Sequence, residues 1–169
     1  MSALRLLRCY LGLGSNLGNR EGYLVGALRG LAGDPRLYVR RVSCLYATAP
    51  VGGVEQPPFL NAVAEVGVYL TPRELLALCQ HVERQASRER TIPWGPRTLD
   101  LDLLLCEGAI CADPELTLPH PRLLERQFVL APLAEIAPDL RLPDGRTAAQ
   151  AADPSDRGVC RLGPLRWRY

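Results

Sequence analysis

Thr98-Leu99-Asp100-Leu101-Asp102-Leu103-Leu104-Leu105 alternates polar and leucine side chains over its first six positions. Side chains on a β-strand point alternately to opposite faces, so this pattern predicts a strand with Asp100 and Asp102 on one face, their Cα atoms roughly 7 Å apart. The leucines on the other face would anchor the strand in a core. The stretch therefore predicts a sheet that presents two carboxylates side by side.

The segments before this strand alternate between strand and helix patterns. Residues 9–13, 37–47 and 59–69 read as strands, and residues 20–32 have the apolar spacing of a helix. Thr71, Pro72 and Glu74 predict the start of a second helix, with threonine as N-cap, proline at N1 and glutamate at N3. That helix is expected to run to about Arg84.

The segments after the strand are shorter. Ile110 marks a short edge return and residues 116–120 are extended, while residues 123–136 read as mostly helical, with a break at Pro132. A short helix is predicted near residues 147–152, and the tail beyond it has no assigned role. These pieces add to the main pattern without changing it.

The order strand, helix, strand, strand, helix, strand is that of the split βαβ arrangement. It predicts an α+β fold of the ferredoxin-like αβ-sandwich type, with a mainly antiparallel sheet and helices packed on its faces. The chain has 169 residues, with no internal repeat, low-complexity tract or block of charge. One domain over residues 1–169 is therefore expected.

Composition narrows the function classes. A formal net charge of +2 is too small to favour a nucleic-acid partner, and all 20 basic residues are arginine, which excludes a covalent lysine mechanism. No apolar run approaches the roughly 20 residues that cross a bilayer, and the N-terminus lacks a signal-peptide pattern. A cytoplasmic protein with buried free thiols among its six scattered cysteines is expected. A monomer is the starting expectation.

Two carboxylates on one strand face suit a hard cation. Mg²⁺ takes one or two protein carboxylates and completes its octahedron with water and phosphate oxygens. The alternative is an ordinary solvated strand face. Arg97 and an arginine-containing loop before it supply the counter-charge that a polyphosphate needs, which favours a site at Asp100 and Asp102.

Two further motifs carry polar or aromatic groups. Prolines on both sides restrict the backbone of His120, which suits a histidine that donates to phosphate without titrating, although a lone histidine can also be structural. Arg122 and Arg126 would share a helix face. Phe59 and Asn61 share a strand face, and a ring beside an amide suits a flat heterocycle, although a phenylalanine at a strand start is usually a core residue.

Residues 12–18 (GLGSNLG) lack both the G-K-[ST] of a phosphate loop and the dinucleotide fingerprint. They are interpreted as a turn that fixes the first helix. Residues 49–58 and 85–96 contain the glycine and proline of segments that close over a substrate.

Residues 12–18, 58–62 (PFLNA), 95–103 (GPRTLDLDL) and 118–122 (LPHPR) together resemble the hydroxymethyldihydropterin pyrophosphokinase family, in its order and spacing. The resemblance extends from about residue 10 to about residue 145. It implies an enzyme of folate biosynthesis that transfers diphosphate from MgATP to the hydroxymethyl group of 6-hydroxymethyl-7,8-dihydropterin and releases AMP.

The resemblance also implies a role for individual residues. Asp100 and Asp102 would bind two Mg²⁺ ions, and together with Arg88 and Arg97 they form the implied catalytic set. The implied ATP-binding residues are Gln80, Glu83, Arg88, Trp94, Arg97, His120 and Arg126. The implied pterin-binding residues are Thr48 and Val51 through their backbones, and Phe59, Asn61, Trp94, Asp100 and Phe128. Arg88 and Arg90 are interchangeable candidates for the arginine that closes the site.

Two other classes compete with this interpretation. A metal-dependent nuclease or nucleotidyl transferase could use a two-aspartate strand, but it would need a basic groove. A ferredoxin-like regulatory module could bind a small ligand, but it would not need two acids beside an arginine loop. Conversion of ATP to AMP with and without the pterin would separate all three.

Overall fold

The computed structural model of the chain describes residues 5–49, 57–86 and 98–168. Its main sheet has six strands: β1 (Leu7–Ser15), β2 (Leu37–Val42), β3 (Cys44–Thr48), β4 (Phe59–Val68), β5 (Asp100–Cys106) and, after the short pair β6 (Cys111–Ala112) and β7 (Thr117–Leu118), β8 (Val159–Pro164). The strands follow the order β5-β1-β4-β3-β8, with β2 also paired to β4. Every pairing is antiparallel. β4 is almost wholly buried because both faces of the sheet are covered.

Helices cover the two faces separately. On one face, α1 (Arg20–Ala32) and α2 (Pro72–Ala86) pack against leucines of β1 and β5. On the other, α3 (Gln127–Ile136) and α4 (Ala148–Ala151) pack around Tyr10 and Val63. The predicted α+β class, with an antiparallel sheet between helices, is confirmed.

The helix starts follow from local chemistry. The Asn19 side chain accepts a hydrogen bond from the Gly22 N–H at 3.0 Å and caps α1. At α2, the Thr71 hydroxyl accepts from the Glu74 N–H at 3.2 Å, and the Glu74 carboxylate accepts from the Thr71 N–H at 3.0 Å. This reciprocal capping box confirms the helix start predicted at Pro72.

The structure differs from the predicted elements in three places. The strand expected over residues 37–47 is split at Ser43, whose hydroxyl accepts from the Val63 N–H at 2.9 Å and donates to the Cys44 carbonyl at 2.8 Å. The helical region after residue 122 breaks at Arg126, where the backbone is extended, and the helix runs through Pro132. The tail, for which no strand was predicted, forms β8, because Val159–Pro164 pairs with β3.

The expectation of free thiols is wrong for one pair. Cys9 of β1 lies directly opposite Cys106 of β5, and their sulfur atoms form a disulfide. The thiols of Cys44, Cys79, Cys111 and Cys160 are free, and that of Cys79 is buried, as expected. Among the described helices, none is long and apolar enough to cross a membrane.

Candidate active site

Two glycines of β1 form the floor of a cavity on the α3 side of the sheet. Gly12 lies opposite Asp102, and Gly14 lies between Asp100 of β5 and Asn61 of β4. An ideal Cβ at Gly14 would lie 3.0 Å from the Asn61 Oδ1 atom, and one at Gly12 would contact the Leu104 side chain at 3.5 Å. Both glycines line this cavity, which has a volume of about 440 Å³, and a longer side chain at either position would take up part of it.

The two carboxylates predicted from the sequence do share one face. Asp100 and Asp102 both line the cavity, while Leu101 and Leu103, each 4% exposed, anchor β5 in the core behind them. Within residues 5–49, 57–86 and 98–168, no group of three or more histidine, cysteine or acidic side chains could hold a metal ion. Two half-buried carboxylates with open space beside them suit Mg²⁺, which needs few protein ligands and takes the rest from water and phosphate.

Arg126 connects the carboxylates to an aromatic wall. Its Nη1 atom lies 3.7 Å from Asp102 Oδ2, and its guanidinium carbon lies 5.6 Å from the centre of the Phe128 ring. Both contacts hold a cation at the side of the cavity nearest β5. A guanidinium in this position can pair with phosphate when one is bound.

His120 is held in one tautomer. Its backbone N–H donates to the Leu104 carbonyl at 2.7 Å, which ties it to the outer edge of β5. Its Nδ1 atom accepts from the Arg122 N–H at 3.1 Å, so the ring proton of the neutral form is on Nε2. Burial lowers the pKa of His120, although the Asp102 carboxylate opposes this. The neutral ring can therefore donate from Nε2 into the cavity at neutral pH.

Aromatic rings also line the cavity. Phe59 from β4 and Phe128 from α3 both line it, and they are the two phenylalanines of the chain. Asn61 lines the same cavity, and its side-chain Nδ2 donates to the Thr48 hydroxyl at 2.7 Å. Flat rings and an amide oriented by a hydrogen bond suit a planar heterocycle with a polar edge.

Comparison with known proteins gives this arrangement a family. A family model described as 7,8-dihydro-6-hydroxymethylpterin-pyrophosphokinase matches residues 10–138. The chain belongs to this family. A Methylorubrum extorquens protein named 2-amino-4-hydroxy-6-hydroxymethyldihydropteridine pyrophosphokinase is 46% identical over 153 residues, which are 89% of this chain and 96% of that protein. A Bacillus subtilis protein of the same name is 48% identical over 127 residues, 75% of this chain and 76% of that one.

A solved structure shows the same fold. The Plasmodium falciparum HPPK-DHPS chain, solved with pterin and p-hydroxybenzoate, superimposes with a TM-score of 0.68 at 14% sequence identity. The match covers 89% of this chain but 43% of that one, so the chain spans less than half the length of the solved protein. The likeness supports the ferredoxin-like sandwich, and the family match supports the resemblance stated from the motifs.

Most of the pyrophosphokinase site residues implied by the resemblance lie around the one cavity. Those that line it are Thr48, Phe59, Asn61, Asp100, Asp102, His120, Arg126 and Phe128. Gln80 and Glu83 of α2 do not line it. The Glu83 carboxylate instead accepts a hydrogen bond from the backbone N–H of Leu101 at 3.4 Å. Leu101 lies between the two aspartates along β5, and α2 packs on the face of the sheet opposite the cavity. Val51, Arg88, Arg90, Trp94 and Arg97 lie outside the described residues.

The glycines of β1 are cavity-lining positions that sequence reasoning missed. Residues 12–18 were expected to form a turn, yet β1 continues to Ser15, and the turn begins only afterwards. A signal was present, because Gly12 and Gly14 are two apart, like Asp100 and Asp102. Two glycines on one strand face, paired with two acids on the next strand, predict an open floor beside a carboxylate pair.

Proposed function

We propose that the chain transfers the terminal diphosphate of ATP to the hydroxymethyl group of 6-hydroxymethyl-7,8-dihydropterin, releasing AMP, as a step of folate biosynthesis. The observation that carries this proposal is the lining of a single cavity. It is lined by the charged or polar side chains Asp100, Asp102, His120 and Arg126 and also by Phe59, Phe128 and Asn61. The first group suits a polyphosphate and defines a phosphate end, and the second suits a pterin ring and defines a pterin end, which brings the reacting groups together.

Asp100 and Asp102 are the residues that would hold magnesium, as two Mg²⁺ ions together with the nucleotide. The metal would neutralise phosphate charge and lower the pKa of an oxygen bound to it. Arg126 and His120 would bind the phosphates directly, the first by charge and the second through its Nε2–H. Arg126 would exchange its contact with Asp102 for one with phosphate as the nucleotide binds.

For this reaction the protein has mainly to position the two substrates and to neutralise the phosphate charge. The pterin hydroxymethyl oxygen attacks the β-phosphorus of ATP, and the bond from that phosphorus to the oxygen shared with the α-phosphate breaks. AMP departs with the oxygen, and the hydroxyl proton is lost. The sheet floor and two aromatic walls fix the ring, so that its hydroxymethyl group is directed toward the phosphate end.

Five residues of the proposed site lie in the parts of the chain outside the described ranges. Arg88 and Arg97 are proposed to bind the phosphates during catalysis, with Arg90 as the alternative to Arg88. Trp94 is proposed to cover both substrates, and the Val51 backbone to contact the pterin edge. The family resemblance of their sequence positions supports these roles. A monomer acting in the cytoplasm, where ATP is available, without nucleic acid or membrane, completes the proposal.

The decisive test measures AMP formation by the purified chain. With MgATP and the pterin, AMP and dihydropterin diphosphate should form in equal amounts, and omission of the pterin should stop AMP formation. Removal of divalent metal with EDTA should lower the rate by at least about a hundredfold, and excess Mg²⁺ should restore it. AMP formation that ignores the pterin, or full activity without metal, would reject the proposal.

His120 provides a prediction about hydrogen-bond donation. His120→Ala should lower kcat/KM for ATP by about ten- to a hundredfold, the value of a hydrogen bond to a charged group. In His120→Gln the side-chain nitrogen can donate from nearly the same place, so kcat/KM for ATP should fall much less than in His120→Ala. Steady-state kinetics at pH 8 compare the two variants.

The pH dependence checks the same residue. Because burial lowers the pKa of His120 from its ordinary 6.5, the neutral ring stabilises the fold above pH 6.5, and this contribution is lost as pH falls through the lowered pKa. Between pH 7 and 9, kcat/KM should therefore show no titration of this residue. At acid pH the wild type should lose more thermal stability than His120→Gln, and equal losses would contradict a half-buried neutral ring.

A further inference from the structure

The Asn61 carboxamide is oriented from two sides by neighbouring strands. Thr48 at the end of β3 and Asn61 on β4 are diagonal neighbours on the cavity face, and both are buried. The amide Nδ2 donates to the Thr48 hydroxyl at 2.7 Å, on the β3 side. On the β1 side, the amide Oδ1 lies over Gly14, 3.0 Å from the position an ideal Cβ would take.

We propose that Thr48, through its side-chain hydroxyl, is a positioning residue that holds the Asn61 carboxamide with its oxygen toward the cavity. The site thereby selects a heterocycle that presents N–H donors at that edge. This inference rests on the proposed function, because it concerns how the pterin end of the same cavity recognises its ligand. It gives the Thr48 side chain a role separate from the backbone contact that the family resemblance implies.

The physical reason is that an asparagine amide presents opposite chemistry at its two ends. Its oxygen only accepts hydrogen bonds, and its nitrogen only donates. With the nitrogen bound to Thr48, the end toward β1 is an acceptor, and the Asp100 carboxylate lies on the far side of Gly14. Two acceptors at that end favour a donor edge such as the N–H groups of a pterin. A reversed amide would present N–H groups there and favour a carbonyl edge.

Gly14 makes this orientation possible. A side chain at residue 14 would occupy the space beside Oδ1, and it would also cover the floor on which a flat ring can lie. The small floor and the hydroxyl anchor therefore act together on one amide.

Thr48→Val removes the hydroxyl at nearly constant volume, and Thr48→Ser keeps the hydroxyl and removes only a methyl group. Pterin binding without nucleotide is measured by calorimetry, and KM for the pterin, KM for ATP and kcat by AMP formation. Thr48→Val should weaken pterin binding and raise its KM by about tenfold, because a buried amide donor is left unpaired. KM for ATP should change less than about twofold, and Thr48→Ser should stay within about threefold of wild type for the pterin.

The serine variant separates positioning from packing. If Thr48→Ser weakens pterin binding as much as Thr48→Val, the methyl group matters rather than the hydroxyl, and the proposal fails. Unchanged pterin binding in Thr48→Val also rejects it. If thermal unfolding shows that Thr48→Val is not folded, Thr48→Ala, which adds no bulk, replaces it and is expected to show the same tenfold loss of pterin binding. Wild-type protein that neither binds the pterin nor forms AMP would instead reject the proposed function.

Discussion

Asp102→Ala is expected to lower kcat by about a thousandfold while the protein stays folded. The carboxylate lies on the cavity face of β5, where removing it takes away one of two ligands proposed for magnesium. The loss acts on the transition state, where phosphate charge is redistributed, so kcat should fall more than KM for ATP rises. AMP formation at saturating MgATP and pterin measures the effect.

The fold should survive this change because the Asp102 side chain is half exposed and the core residues of β5 are kept. Its side chain is 46% exposed, and its contact with Arg126 spans 3.7 Å, so the pair is worth at most about 1 kcal/mol after solvent screening. Leu101 and Leu103, which anchor β5, are untouched. The melting temperature should shift by no more than a few degrees.

Asp139→Ala is a matched control, since it removes an exposed aspartate that does not line the cavity. It should leave kcat unchanged. Binding of Mn²⁺ with a non-hydrolysable ATP analogue gives a second measurement, which should weaken for Asp102→Ala alone. A folded Asp102→Ala protein with near-native turnover would remove the metal role from this residue.

Local patterns predicted most of the elements. The helix at Arg20–Ala32 and the capping box at Thr71 depend on residues within four positions of each other, so short windows of sequence contain the information. Strand β8 had no such signal. Its side chains are mostly exposed, with no alternation of buried residues, and it forms because β3 offers an unpaired edge about 110 residues earlier in the chain.

The Cys9–Cys106 disulfide was missed for a related reason. The two residues are 97 positions apart, and only the pairing of β1 with β5 brings them together. Sequence spacing alone favours no pair among six scattered cysteines. Non-local register, rather than composition, decides this feature.

The site shows the same division between local and non-local information. The chemistry of Asp100, Asp102 and His120 could be predicted because each lies in a short motif whose neighbouring residues indicate how its side chain is placed. Their distances could not, since convergence depends on β1 lying between β5 and β4 with Gly12 opposite Asp102. Glycine favours turns in general, which explains why Gly14 and Ser15 were expected in a turn. Pairing on both edges of β1 overrides that preference.

Phe128→Leu is expected to raise KM for the pterin by about ten- to a hundredfold, the value of stacking one aromatic ring on a base-like heterocycle. The chain has only two phenylalanines, and both line the cavity, while leucine dominates the core. Leucine fills much of the same volume without a π face, so this substitution tests the ring itself. Phe128→Tyr keeps the ring and should bind the pterin within about threefold of wild type.

The effect on ATP distinguishes stacking from a general distortion of α3. The Arg126 guanidinium lies 5.6 Å from the Phe128 ring centre, a contact worth about 0.5–1 kcal/mol at an exposed site. Its loss predicts a rise of about two- to fivefold in KM for ATP, well below the pterin effect. Phe59→Leu, which removes the ring supplied by β4, should raise KM for the pterin by a factor similar to that of Phe128→Leu. Equal losses for both substrates in Phe128→Leu would show that the ring supports the site as a whole instead of stacking on the pterin.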